Sequence, residues 1–148
     1  MNRLLSPLVK YLSLALVGLF SVVSCAPQPQ GRSIMHVYQK DSSLMAVSLF
    51  DLPQGTQVVA MSLGGVQGQA KRSISKSDFD SIWNRLHSED LSRYRLQDQS
   101  AKFDTENNIV VKFGTLPAEN IPNYVVPKKV ASASLKAATA SIKKLSPL

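Results

Sequence analysis

The hydropathy pattern of the 148-residue chain predicts an α+β fold: an antiparallel sheet built from a four-strand meander, a helix and two to three further strands, closed by an amphipathic C-terminal helix, with the helices on one face. Three observations carry this expectation. From Ile34 to Ile74 apolar and polar residues alternate between clusters of turn-forming residues. At Phe79 the period changes from two to about 3.6. The end of the chain, Val130 to Leu145, combines an apolar stripe with a run of lysines. Strands in a run, rather than in strict βαβ alternation, favour an antiparallel sheet.

The elements follow in order. Ile34–Gln39 and Leu44–Phe50 flank Lys40-Asp41-Ser42-Ser43, whose small polar residues suit a hairpin connection. Gln57–Leu63 is a third strand, and Gly64-Gly65 supplies residues that tolerate positive φ ahead of a fourth strand near Gln69–Ile74. Ser77 followed by Asp80 reads as a capping-box start, with Asp78 and Asp80 placed against the positive end of the helix dipole. Phe79, Ile82, Trp83 and Leu86 then occupy one helical face as far as about His87. Leu91 and Tyr94 suggest a further short helical turn. Ala101–Asp104 and Ile109–Phe113 are expected to pair around Thr105-Glu106-Asn107-Asn108, and Ile121–Val126 forms another strand closed by Pro127. In the last helix Ala131, Leu135, Ala138, Ile142 and Leu145 share an arc, with Lys129, Lys136, Lys143 and Lys144 around the opposite side and Lys128 nearer the boundary.

Ahead of this domain, at residues 34–148, the chain carries an address. Arg3 and Lys10 make a positive start, and Tyr11–Val23 is a weakly polar to apolar run of 13 residues. A spanning helix needs about 20 apolar residues, so the segment has the order and length of a secretory signal. Its end, Val22-Val23-Ser24-Cys25, resembles the lipobox of bacterial lipoproteins. The chain's one cysteine stands where that pattern requires it, with Val22 where leucine is the commoner residue. The resemblance covers only the export segment. It implies cleavage after residue 24, a diacylglyceryl group on Cys25, and membrane lipid as a partner. Two or more acyl chains anchor stably, because each buried CH₂ contributes about 0.8 kcal/mol. In diderm bacteria an aspartate after the cysteine retains such proteins at the inner membrane. Ala26 stands there in this chain, which implies the outer membrane with the domain facing the periplasm. Residues 25–33, rich in proline and glutamine, read as a tether.

Chemistry-bearing motifs are few. His36 alternates within a strand and His87 ends a helix, and neither has zinc-ligand spacing, so both are read as structural. No glycine pair brackets a serine as in a nucleophile elbow. Gly64-Gly65-Val66-Gln67-Gly68 leads into an extended segment instead of a helix N-terminus, which a phosphate loop needs. Asp104–Asn108 has Ile109 where an EF-hand needs glycine, and reads as a solvated turn. Asp78 and Asp80 are accounted for by helix capping. No catalytic residue, metal site or cofactor is assigned.

Charge is the most informative functional feature. Without residues 1–24 the chain has 15 basic and 10 acidic side chains, and the whole net charge of +5 comes from Lys128, Lys129, Lys136, Lys143 and Lys144. These lysines are candidate contacts for an anionic lipid or cell-wall surface, where each contributes up to about 1 kcal/mol. The C-terminal helix lacks the aromatic residues of an interfacial helix, which favours docking on the sheet. Nucleic acid is not an expected partner of an exported protein. The function expected is a lipid-anchored, non-enzymatic interaction module of the cell envelope, binding an envelope protein or an anionic component, with an edge strand or the uncovered sheet face as contact surface. The alternative is an envelope hydrolase with a serine, histidine and carboxylate site assembled by folding.

Overall fold

The computed structural model describes residues 30–64, 68–97 and 103–148. The export segment, Cys25 and most of the tether lie outside the described residues, as do Gly65, Ala101 and Lys102. Six strands form one antiparallel sheet: β1 (Arg32–Lys40), β2 (Ser43–Leu52), β3 (Gly55–Leu63), β4 (Ala70–Ser73), β5 (Asn108–Thr115) and β6 (Asn123–Pro127), in spatial order β4-β3-β2-β1-β5-β6. Helix α1 (Lys76–His87) follows β4, and α2 (Ala133–Leu145) ends the chain. This is the α+β fold expected from the hydropathy pattern.

Local chemistry explains the meander. Asp41 and Ser42, at φ 47° and 67°, make a two-residue hairpin loop with both central residues left-handed, closed by the Lys40–Ser43 pair. Such loops match the right-handed twist of the strands they join. β1 begins two residues earlier than the alternation suggests, so Arg32 and Ser33 belong to the sheet and not to the tether. Gly31, just before it, has φ 150°, and a Cβ there would lie 2.4 Å from the Asp51 carbonyl oxygen, so only glycine fits.

The period-two pattern sorts the sheet into two faces. Ile34 and Tyr38 of β1, Met45, Val47 and Leu49 of β2, Val58 and Ala60 of β3, and Ile109, Val111 and Phe113 of β5 pack with both helices in one core. Phe79, Ile82, Trp83 and Leu86 supply the α1 side of that core, as expected, and Leu135, Ala138 and Ile142 the α2 side. The helices run antiparallel. Ser132, which caps α2, hydrogen-bonds Glu89 just beyond α1, while at the other end Asp78 of α1 and Lys144 of α2 line one small cavity. On the opposite face Val37, Ala46 and Val110 form a smaller cluster with Met35, Leu44, Met61, Val125 and Phe103, with no helix among the described residues.

Two local expectations are corrected. The cap of α1 is Ser75, not Ser77: its Oγ accepts from the Asp78 N–H at 3.0 Å and donates to the Asp78 carboxylate at 2.7 Å. The Asp78 carboxylate thus bonds the capping hydroxyl itself, where a capping box would have it accept from the Ser75 backbone N–H. Phe103 and Asp104 form no strand beside β5. The Asp104 carboxylate instead accepts from the Glu106 and Asn107 N–H groups, at 3.0 and 3.2 Å, and turns the chain. The turn after α1 is a 3₁₀ helix, Ser92–Tyr94, preceded by the buried Leu91. Beyond it Arg95 bridges Tyr124, and the Leu96 N–H donates to Asn123 O at 2.8 Å, so the outer edge of β6 is partly covered.

Candidate functional site

The even-numbered residues of β1 face the helices, which puts His36 among core side chains at 3% exposure. Its ring stacks on Tyr38 at 5.3 Å between centroids, and Nδ1 lies 2.9 Å from the Val110 carbonyl oxygen. A carbonyl only accepts, so Nδ1 carries the proton and donates. Nε2 is then an acceptor, and it is buried with no hydrogen-bond partner among the described residues. Burial pushes the imidazole down from 6.5 to about 4. The Val110 hydrogen bond opposes that shift, and the charges of Lys143 and Lys128 reinforce it. His36 is thus a neutral base beneath a cationic rim.

The rim belongs to a cavity of about 850 Å³ on the flank of α2, over the end of β1 and the start of β5. His36 and Tyr38 line it from β1 and Ile109 from β5. Thr105, Glu106 and Lys128 come from the two turns, and Lys136, Thr139 and Lys143 from α2. Lys136 and Lys143 are seven residues apart, two helical turns, and so stand on one side of α2. Lys143 holds its ammonium 4.7 Å from the Tyr38 ring centroid, a cation–π arrangement. Burial lowers the pKa of Lys143, and the neighbouring charge of Lys128 lowers it further. Lys128 donates from Nζ to the carbonyls of Thr105 and Glu106, tying the two turns together. None of the three forms an ion pair with a carboxylate among the described residues. With Glu106 counted, the lining carries two net positive charges.

The five candidate lysines therefore do not form one face. Lys128, Lys136 and Lys143 converge on the cavity, whereas Lys144 lines a cavity of about 170 Å³ between the helices, and Lys129 lines neither. The reason is that α2 docks with its apolar stripe against the sheet while Lys136 and Lys143 stand at the border of that stripe, where a long stem reaches back over the sheet. Sequence reasoning missed His36 as a site residue. The available signal was its parity with Ile34 and Tyr38, which puts a polar ring on the core face.

A second charge cluster occupies the opposite end of β1. Arg32 donates to Asp51 at 2.7 Å and to Asp80 at 2.6 Å, with its guanidinium 4.9 Å from the Phe79 and 5.1 Å from the Trp83 ring centroids. Lys76 completes the group on Asp51 at 3.0 Å. Burial alone would raise the Asp51 pKa, but the hydrogen bonds from Arg32 and Lys76 bring it below its ordinary value. Asp80 is thus committed to Arg32, a role distinct from the capping expected of it. These charges neutralise one another and hold α1 on the sheet. His87 stacks on Trp83 at 5.3 Å, a packing role. Compared with protein-family models, curated proteins and solved structures, the chain matches none.

Proposed function

We propose that the chain is a lipid-anchored protein of the cell envelope whose folded domain binds an anionic component of that compartment in the cleft beside α2. One observation carries the binding half of this reading: Lys128, Lys136 and Lys143, none with a carboxylate partner among the described residues, surround a cavity of about 850 Å³ with a buried neutral histidine as part of its lining. Volumes of about 300–1,000 Å³ suit small ligands, and a concave wall of one charge concentrates counter-ions. The anchoring half rests on the export segment and Cys25. A lipid on Cys25, followed by a short tether, would keep the cleft close to a membrane surface.

The test has two parts. Cys25→Ala is expected to abolish incorporation of radioactive palmitate into the chain, and persistent labelling would overturn the anchor. For the cleft, sulfate binding by the full chain in detergent micelles is followed by NMR shifts of the lysine side chains. Lys136→Glu with Lys143→Glu is expected to weaken sulfate binding about tenfold or more, the loss of two charge-assisted contacts. Lys144→Glu, outside the cleft, is expected to leave it within about twofold. Equal losses from both variants would reduce the effect to general surface charge and overturn the cleft.

A further inference from the structure

We infer that the ligand of this cleft is a polyhydroxylated anion of the sugar-phosphate or sugar-acid type, which donates a hydroxyl hydrogen bond to His36 Nε2 while its anionic group rests on Lys136 and Lys143. The inference rests on the anion-binding reading and narrows it.

Two features of the lining differ in depth and in chemistry. The lysine ammoniums are donors near solvent, and they call for an acceptor with negative charge. His36, 3% exposed, offers the opposite: with Nδ1 spent on Val110, Nε2 can only accept, and it is closed off from solvent in the unliganded fold, so a ligand reaches it as the side chains over it move aside. A buried acceptor without a partner loses its hydration and recovers nothing, a cost that a ligand's donor removes. Sulfate, which carries no donor, answers the lysines alone. A molecule that answers both carries a hydroxyl or amide N–H set apart from its charge. The rest of the lining includes the neutral polar residues Gln39, Thr105 and Asn108, which suit a ligand with hydroxyls. Thr139 donates its hydroxyl to Leu135 O at 3.2 Å or Lys136 O at 3.1 Å, which leaves its oxygen as a further acceptor toward the same cavity. A fully charged ligand without hydroxyls would leave these groups and Nε2 unanswered.

The probes are glucose 6-phosphate, glucuronate, sulfate and glucose, titrated at matched ionic strength into the full chain in detergent micelles. Glucose 6-phosphate or glucuronate is expected to bind about tenfold or more tightly than sulfate, and glucose alone weakly. The two anionic sugars separate phosphate from carboxylate preference. The direct readout is the ¹⁵N resonance of His36 Nε2: it should move with the preferred sugar and stay in place with sulfate, while Nδ1 keeps its proton. His36→Phe preserves a ring beside Tyr38 and removes the acceptor. It is expected to reduce binding of the preferred sugar to about the level of sulfate. Sulfate binding as tightly as both anionic sugars, or an unmoved Nε2 resonance, overturns the inference while anion binding stands. Lysine resonances that respond to none of the anions overturn both.

Discussion

His36 makes the cleft pH-sensitive at the scale of one residue. Its environment is set by its stacking on Tyr38, by Lys136 and Lys143 of α2, and by Lys128 and Glu106 of the turns. Because its pKa falls from 6.5 to about 4 on folding, the unfolded chain takes up the proton first as the pH drops. The stability contributed by the neutral ring is complete above pH 6.5 and is lost progressively as the pH falls toward about 4. A shift of that size corresponds to a loss of order 3 kcal/mol. Asp51, whose pKa is lowered, acts in a different window: its contribution is present above its ordinary value of 3.8 and disappears below it. Urea denaturation at pH 7.5 and 4.5 separates the two. His36→Phe is expected to flatten most of the difference between those pH values, and a variant as pH-sensitive as the parent chain would contradict the assignment.

At the scale of elements, end chemistry decides where helices start. Periodicity placed the α1 core face correctly, but Ser75 and Ser77 both precede Phe79 and only one can cap. The extended backbone of Ser75, at φ −73° and ψ 147°, aims its hydroxyl at the Asp78 N–H. Ser77 lies inside the first turn and is exposed. Ser75→Ala is therefore expected to cost about 1 kcal/mol in thermal or chemical denaturation, against a few tenths for Ser77→Ala. The reverse ranking would restore Ser77 as the cap. The same competition between local hydrogen bonds keeps Phe103 and Asp104 out of the sheet. Phe103 and Asp104 carry an alternating pattern, yet the Asp104 carboxylate satisfies two backbone N–H groups of its own turn, and Phe103 packs on the second sheet face.

At the scale of the molecule, two charged sites sit at opposite ends of β1 and do opposite work. Near its start Arg32, Asp51, Lys76 and Asp80 compensate one another and clamp α1 through the rings of Phe79 and Trp83. Toward its end the cations of the cleft lack carboxylate partners among the described residues. Asp51→Asn is expected to reduce stability by about 1–2 kcal/mol, less at high salt, because Arg32 and Lys76 lose a shared negative charge that is largely shielded from water. Sulfate affinity at the cleft should stay within about twofold, since distant sites without shared partners behave independently. A matching loss of affinity would mean that the two ends are coupled through α1 and α2.

Local pattern alone determined much of this chain: the α+β class, the hairpin at Lys40–Ser43, the Phe79–Leu86 core stripe and the apolar stripe of α2. Each depends on side-chain period and turn chemistry within a few residues, so each is written where it acts. The lysine enrichment after Pro127 was equally plain. Only tertiary structure decided which lysines act together. Lys128 and Lys143 line one cavity because the turn after β6 and the flank of α2 border the same cleft, a juxtaposition that no single periodicity relates. The same holds for His36, separated by 74 positions from the Val110 carbonyl that directs its proton. A strand pattern assigns a residue to a face. What lies across that face, and so whether a buried ring is packed or left with a free acceptor, is settled only when distant elements meet.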